Sequence, residues 1–136
     1  MLKVIGSTYS VPKELIEKVA TAAFSFLKIN DAEIELKFVS IPEISRLNKV
    51  YRDKEGPTDV LSFQLEEKPL LGQIFICYTF TKDQASGLGK KMNDEVALLT
   101  VHGILHIAGY DHISEAEESE MQEIESQILE RVGIKR

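Results

Sequence analysis

All three histidines of the chain lie in one eleven-residue segment, HGILHIAGYDH, at residues 102–112. His102 and His106 are four residues apart, so on a helix they share one face, with Cβ atoms roughly 5–6 Å from each other. Gly109 can end the helix and let the chain turn, which would bring His112 to the same place. Three imidazoles leave a tetrahedral ion one open position for water. That arrangement is typical of a catalytic metal site rather than a structural one.

The alternative interpretation is that the histidines have no shared role. A single histidine on a helix is usually a polar residue with an ordinary hydrogen-bond partner, and two histidines four residues apart can occur by chance. Three histidines in eleven residues, with none elsewhere in the chain, favour a metal site instead. The residues between them are mostly apolar, which predicts a packed helix in which an imidazole without a partner would cost a few kcal/mol. Zinc suits such ligands, although nickel, copper and iron also accept nitrogen. The spacing does not choose among these metals.

Hydrolysis is the chemistry that this site predicts, because a bound divalent ion lowers the pKa of water from about 15.7 to roughly 7. The substrate could be an ester, an amide or a phosphodiester. In H-E-x-x-H metallopeptidases a glutamate beside the first histidine is the general base, and here that position is Gly103. Asp111 remains a candidate base, or a partner that orients an imidazole. A redox iron centre using Asp111 is disfavoured because a third histidine is present.

A phosphodiester substrate would also need a positive charge beside the reacting phosphate. Arg52 is the best-placed candidate, since it follows a predicted short helix, precedes a predicted strand and can bind phosphate through two N–H groups. The alternative for Arg52 is an ordinary surface ion pair with Asp53 or Glu55. A local basic cluster surrounds it, formed by Arg46, Lys49, Arg52 and Lys54. The net charge of −6 excludes a generally basic nucleic-acid binder, but it does not exclude a local basic rim.

The composition predicts one domain over residues 1–136, because 136 residues with 43% hydrophobic content can bury a core. No apolar run reaches the roughly 18 residues of a membrane span, and no secretory signal is visible at the start. We therefore expect a cytoplasmic protein without a membrane partner. The single cysteine, Cys77, lies in the apolar run LLGQIFICY and is expected to be a core residue.

Hydrophobic periodicity predicts an α+β domain with a mixed sheet and the histidine helix packed against it. Two adjacent strands, 58–65 and 70–78, predict an antiparallel hairpin. The expected order is strand 2–7, helix 12–29, strand 33–40, a short helix to 51, loop 52–57, strands 58–65 and 70–78, a loop or short helix at 81–91, a helix from 93 and a helix at 114–132. Ser40 with Glu43, and Ser114 with Glu117, predict capping boxes at two helix starts.

Three blocks of the sequence resemble the YbeY family of bacterial endoribonucleases, the ribosomal RNA maturation factors. The blocks are HGILHIAGYDH, LNKVYRDKEGPTDVLSF at 47–63 and LLGQIFIC at 70–77, in the family's order. The resemblance extends from about residue 34 to the last helix, where Met121 falls at a matching position. It implies a zincin-like single domain, with a mixed sheet of about four strands flanked by helices.

The resemblance also implies a function. His102, His106 and His112 match the family's metal ligands, usually assigned to zinc, and Arg52 matches an arginine needed for activity. The implied reaction is cleavage of single-stranded RNA, in small-subunit ribosomal RNA 3′-end maturation and ribosome quality control. In this reaction a metal-bound hydroxide would attack the phosphodiester, and Arg52 would stabilise the phosphate. The implied partners are ribosomal RNA and the small ribosomal subunit or its proteins. Gln73 departs from the aspartate often found in the family, so a catalytic role for that position is in doubt.

Two alternatives stay open at this point. One is a metal hydrolase of another substrate class, which the missing base at Gly103 disfavours for peptides. The other is a ribosome assembly factor in which the metal only holds the chain together. Few aromatic residues and an acidic last helix predict weak, salt-sensitive intrinsic RNA affinity. We therefore expect a ribosomal protein or the assembled subunit to present the RNA.

Overall fold

The computed structural model describes residues 1–5 and 9–136. In this part of the chain, four strands form one mixed sheet and five helices surround it. The strands are β1 Leu2–Ile5, β2 Glu33–Val39, β3 Val60–Glu67 and β4 Leu70–Cys77; the helices are α1 Lys13–Leu27, α2 Ile41–Arg52, α3 Tyr78–Gly87, α4 Met92–Ile107 and α5 Glu115–Glu130. The predicted α+β class and the mixed four-strand sheet with flanking helices are confirmed.

The sheet has the strand order β1-β2-β4-β3. Strands β1, β2 and β4 run parallel, and β3 pairs antiparallel with β4. The predicted hairpin is therefore confirmed, and β4, the more apolar of its two strands, lies inside the sheet as expected. β3 is left as an edge strand beside the C-terminal half of α4.

The two faces of the sheet carry different layers, as the side chains of β4 show. Ile74 and Ile76 are fully buried in the main core, which β4 forms with helices α1, α4 and α5. Because side chains alternate along a strand, Gln73 and Phe75 point to the opposite face. There Phe75 joins a smaller cluster with Leu47 of α2. Helix α4 is thus enclosed by the sheet on one side and by α1 and α5 on the other.

Helix α4 lies unusually close to the sheet because glycines stand at the contact. A Cβ on Gly103 would lie 2.8 Å from Cδ1 and 3.0 Å from both Cγ1 and Cγ2 of Ile74. A Cβ on Gly72 would lie 2.8 Å from Cδ1 of Ile107 and 2.5 Å from the carbonyl oxygen of Phe63. No side chain fits at either point without moving its neighbours. Position 103 is where an H-E-x-x-H metallopeptidase has its glutamate base. In this chain the glycine at that position has a packing role instead.

The predicted helix starts at Ser40 and Ser114 are confirmed by their caps. The N–H of Glu43 donates to Oγ of Ser40 at 3.3 Å, and the N–H of Ser40 donates to Oε1 of Glu43 at 3.4 Å, so both arms of this capping box form. At α5, the N–H of Glu117 donates to Oγ of Ser114 at 3.1 Å. These short polar contacts satisfy N–H groups that a helix leaves unpaired.

Several element boundaries differ from the prediction. Arg52 was expected in a loop, but it is the last residue of α2, which ends where Asp53 adopts a left-handed conformation with φ of 53°. The uncertain segment 81–91 lies mostly in α3, which starts earlier, at Tyr78. The first strand is confirmed for Leu2–Ile5, and its predicted residues 6 and 7 lie outside the described residues. The remaining ends agree with the predicted ones to within two residues.

Cys77 is a fully buried free cysteine, as predicted for a core residue. Met121 of α5 is also buried in the main core. None of the helices in residues 1–5 and 9–136 has the length and apolar content needed to cross a membrane.

Replacing Gly103 with alanine should destabilise the protein by about 1–3 kcal/mol, because its Cβ would overlap Ile74. Gly87 is the matched control: it lies in the last turn of α3, and a Cβ there would meet nothing within 4 Å. Gly87→Ala should leave stability unchanged or raise it by up to about 1 kcal/mol. Chemical denaturation of metal-free protein measures both values. Equal stabilities for the two variants would show that the contact between Gly103 and Ile74 can accommodate a methyl group.

Candidate metal centre

The three histidines meet where α4 ends. His102 and His106 lie one turn apart on α4. The chain then turns at Gly109, whose φ of 105° is in the region that favours glycine, and the N–H of Gly109 donates to the carbonyl of His106 at 3.1 Å. This turn returns His112 to the helix. One nitrogen of each imidazole lies within 4.8 Å of the other two, which is a group that can hold a metal ion.

The cluster is open on one side. His102 and His106 are partly buried, whereas His112 is exposed. The ring centroids lie 4.7 Å apart for His102 and His106, 4.9 Å for His106 and His112, and 5.5 Å for His102 and His112. The donor set is three imidazole nitrogens, which suits zinc and other ions that accept nitrogen ligands. A fourth position facing the open side would be free for water or substrate.

The surroundings favour the unprotonated form of His106. Burial lowers the pKa of His106 below that of an ordinary histidine, and the neighbouring charges of His102 and His112 lower it further, against a smaller opposing effect of Asp111 and Glu125. A metal ligand must offer a lone pair, so it competes with protons for the imidazole. The local field at His106 therefore favours a metal over a proton near neutral pH.

Glu125 of α5 contacts one ring of the cluster. Its Oε2 lies 2.6 Å from Nδ1 of His102, and its Oε1 accepts a hydrogen bond from Nε of Arg136 at 2.9 Å. Burial alone would raise the pKa of Glu125, but the hydrogen bonds and charges of His102 and Arg136 hold it below its ordinary value. An ionised carboxylate only accepts hydrogen bonds, so Nδ1 of His102 must carry the hydrogen. Nε2 is then the nitrogen available to an ion.

The sequence interpretation missed Glu125, although a signal for it was present. The buried residues of α5 are Met121, Glu125, Ile128 and Leu129, which recur at helical spacing on one face. A glutamate in an otherwise apolar helical stripe is unexpected unless it has a buried partner. That anomaly could have identified Glu125, but not the histidine 23 residues away that it contacts.

Arg52 lies at the same cleft as the histidines. A cavity of about 410 Å³ is lined by Arg52, residues 58–62, His102, His106, Asp111 and His112. The predicted alternative partners of Arg52 are engaged elsewhere: Nζ of Lys49 lies 3.8 Å from Asp53 and 2.6 Å from Glu55. Within the described chain, no carboxylate lies within 4.0 Å of the Arg52 guanidinium. Its positive charge is thus available to a ligand in the cleft.

Asp59 forms part of the cleft wall, and the sequence interpretation missed it. Its Oδ1 accepts hydrogen bonds from the N–H of Val60 at 2.8 Å and from the hydroxyl of Thr58 at 3.3 Å. Its Oδ2 accepts a hydrogen bond from Nε2 of Gln84 at 3.2 Å. These contacts hold the turn before β3 in place, which explains why the strand begins at Val60 rather than at Thr58.

The structure places Asp111 in the cleft lining and Gln73 outside it. Oδ1 of Asp111 accepts a hydrogen bond from the backbone N–H of His112 at 2.7 Å, while the carboxylate in contact with an imidazole is that of Glu125. Gln73 lies on the opposite face of the sheet from α4, where its Nε2 donates to Oε1 of Glu35 at 3.0 Å. It does not line the cleft, so its lack of basicity has no bearing on the histidine site.

The fold and the site together define a class: an α+β protein with a three-histidine, metal-binding cleft beside an arginine. Comparison with known sequences makes the class specific. The family model described as Endoribonuclease YbeY matches residues 6–133. The chain therefore belongs to the YbeY endoribonuclease family of metal-dependent hydrolases.

Individual relatives agree with this assignment. The chain is 38% identical to Endoribonuclease YbeY of Bacillus pumilus over 154 aligned positions, covering 100% of this chain and 97% of the relative. It is 39% identical to Endoribonuclease YbeY of Alteromonas mediterranea, covering 97% of this chain and 86% of the relative. The solution structure of TM1509 from Thermotoga maritima superposes with a TM-score of 0.68 at 27% identity, covering 97% of this chain and 91% of that one.

Zinc should stabilise the folded protein through these histidines. At free zinc about 100-fold above the dissociation constant, the free energy of unfolding should rise by about 2.7 kcal/mol. His106→Ala should abolish most of the rise, and Mg²⁺, which prefers oxygen ligands, should produce none. Thermal denaturation with and without each ion measures this. Because the main core consists of apolar side chains and includes none of the histidines, the chelated wild type should stay folded; its unfolding would indicate a structural metal instead.

Acid should destabilise the metal-free protein through His106. Its pKa is lower in the folded state than in the unfolded chain, so near pH 8 the imidazole is neutral in both states and contributes nothing. As the pH falls through about 6.5, the unfolded chain takes up the proton first and stability is lost. His106→Gln should therefore lose less stability than wild type between pH 7.5 and 5.5 in chelator. An equal loss in the two proteins would contradict the lowered pKa.

Proposed function

We propose that residues 1–136 form a single-domain, zinc-dependent endoribonuclease that cleaves single-stranded RNA and acts in small-subunit ribosomal RNA 3′-end maturation and ribosome quality control. Family membership supports an RNA-cleaving hydrolase. The observation that carries the proposal for this chain is that Arg52 and the three histidines line one cleft. A cationic fork beside a metal-binding cluster is what cleavage of a phosphodiester requires.

Arg52 is proposed to bind the scissile phosphate. Its guanidinium can donate two parallel hydrogen bonds to non-bridging oxygens and can stabilise the charge that grows on them in the transition state. Because Lys49 pairs with the nearby Asp53 and Glu55, those carboxylates do not neutralise Arg52. Asp59 limits the freedom of the loop on the same wall of the cleft.

The histidines are proposed to hold the ion, with His102 offering Nε2 because Glu125 occupies the Nδ1 side. When bound, a zinc ion supplies a Lewis acid at the phosphate and an acidified water as the nucleophile. Three nitrogen ligands also suit nickel and some other divalent ions, so zinc is the first candidate rather than the only one. Peptide hydrolysis through a glutamate base is not favoured, because Ile74 fills the space beside Gly103.

The substrate is proposed to be presented by the small ribosomal subunit or its proteins, in the cytoplasm where ribosomal RNA is processed. The cleft continues into a second cavity of about 600 Å³ that shares Ser62, His106 and Asp111 with it, so the site is an open surface. A single strand with splayed bases can reach such a surface more easily than a duplex. The net charge of −6 predicts weak affinity for free RNA, so a partner would supply much of the binding.

Cleavage assays on single-stranded RNA with Arg52 variants test this function. Arg52→Ala should lower kcat/KM by roughly 10²–10³-fold, the typical cost of losing one transition-state donor. Arg52→Lys should fall between that variant and wild type, because it keeps the charge but loses the fork. Arg46→Ala is the matched control, since Arg46 is an exposed arginine of the same helix that does not line the cleft. It should retain activity within about twofold.

His106→Ala should show no metal-dependent cleavage in the same assay. Equal activity of wild type, Arg52→Ala and His106→Ala would contradict the proposal and point to a contaminating nuclease. The ends of the products identify the nucleophile. A 5′-phosphate would support attack by water, whereas a cyclic phosphate would show attack by a ribose hydroxyl and would contradict the proposed chemistry.

A further inference from the structure

We propose that Glu125, held in place by Arg136, is a positioning residue that fixes the tautomer of His102 and thereby sets the metal affinity of the cluster. This inference rests on the proposed metal-binding role of His102. The three-histidine motif does not imply this role, because Glu125 lies in α5 and Arg136 follows that helix, both outside the motif.

The two oxygens of Glu125 have separate partners. Oε1 accepts from Nε of Arg136 at 2.9 Å, and Oε2 lies 2.6 Å from Nδ1 of His102. With Arg136 occupying one oxygen, the other is directed at the imidazole, and the three groups form a chain from guanidinium to carboxylate to ring. The side chain of Glu125 is 2% exposed, so water does not compete for either oxygen.

The position of Glu125 is set by the core rather than by the solvent. It shares the buried face of α5 with Met121, Ile128 and Leu129. Each of these three residues is at most 2% exposed. A buried carboxylate is costly unless it is paired, and an apolar residue of similar size would fill the same space at no such cost. Packing therefore does not account for a glutamate here, whereas orienting an imidazole does.

The carboxylate restricts His102 to one tautomer. Because an ionised carboxylate accepts hydrogen bonds and never donates them, a neutral His102 must carry its hydrogen on Nδ1 and leave the lone pair on Nε2. A glutamine at position 125 would keep the shape and an acceptor, but its amide could also donate to an unprotonated Nδ1. Both tautomers would then be accommodated, and part of the population would present the wrong nitrogen to the ion.

The variants Glu125→Gln and Arg136→Gln test this inference in full-length protein. Each has a matched control. Glu95→Gln makes the same change at another buried carboxylate, which contacts Gln84 and Lys90 rather than a histidine. Arg131→Gln removes an arginine that stacks on Phe26 instead. Thermal denaturation of each metal-free variant first establishes that it is folded.

Two measurements separate positioning from a merely structural role. Long-range ¹H–¹⁵N correlation spectra of the metal-free proteins at pH 8 report the tautomer of His102, which should be Nδ1–H in wild type and mixed in Glu125→Gln. Zinc competition with a chromophoric chelator should show about 10–100-fold weaker binding for Glu125→Gln. Arg136→Gln should show a smaller loss, because Glu125 remains but is held by one contact fewer. Both controls should match wild type.

The possible failures are distinguishable. If wild type binds zinc and folded Glu125→Gln shows the same affinity and the same tautomer, the positioning role is overturned and the metal centre stands. If wild type fails to bind zinc, the metal centre fails and the inference fails with it. Should Glu125→Gln not fold, zinc affinity in Arg136→Gln decides: an affinity equal to that of wild type would overturn the role of the pair.

Discussion

The close contact between α4 and the sheet is the constraint on which the site depends. Gly103 leaves no room for a side chain between the helix and Ile74, so the helix axis is fixed against β4. His102 is adjacent to that glycine, and His106 follows one turn later. Their positions are therefore set by a tightly packed contact in the core, where small displacements are costly. A site built on such an element keeps its geometry without a metal to enforce it.

The remaining parts of the site come from elements that pack around α4 on different sides. Glu125 approaches from α5 and reaches the Nδ1 side of His102, while Arg52 and Asp59 lie across the cleft, at the end of α2 and just before β3. Glu125 pairs with His102 and Arg136, and Asp59 lines the same cleft as Arg52 without an ion pair between the two. This matters because a carboxylate paired with Arg52 would neutralise the charge that a phosphate needs. Lys49 serves the same purpose by pairing with Asp53 and Glu55.

Local signals in the sequence predicted a large part of this arrangement. The spacing of His102 and His106 and the break at Gly109 are short-range features, and the structure brings His112 to them as that pattern indicated. The sequence signals for the cap at Ser40 and for the hairpin of β3 and β4 are also short-range. The parallel order of β1, β2 and β4 was not predictable in the same way, because it depends on contacts between segments that are distant in sequence.

Some of the features that the sequence did not predict are also long-range. Glu125 and Arg136 act on His102 through tertiary contacts, and no spacing rule connects residues 23 or more positions apart. Arg52 lines the cleft, but the sequence predicts it in a loop, because the left-handed conformation of Asp53 that ends α2 has no strong sequence signal at a non-glycine residue. Asp59 falls within a predicted strand, and one of its three hydrogen bonds, the one from Gln84, depends on a tertiary contact with α3.

The central claim is that one ion binds between the three histidines, opposite Arg52. The most direct measurement is a crystal structure of the zinc-loaded protein with a short single-stranded RNA, with the ion located by its anomalous scattering. The account predicts a single zinc on Nε2 of His102 and on one nitrogen each of His106 and His112, at about 2.0–2.1 Å, with a phosphate between the ion and Arg52. Zinc bound through Nδ1 of His102, or bound away from the three histidines, would contradict it.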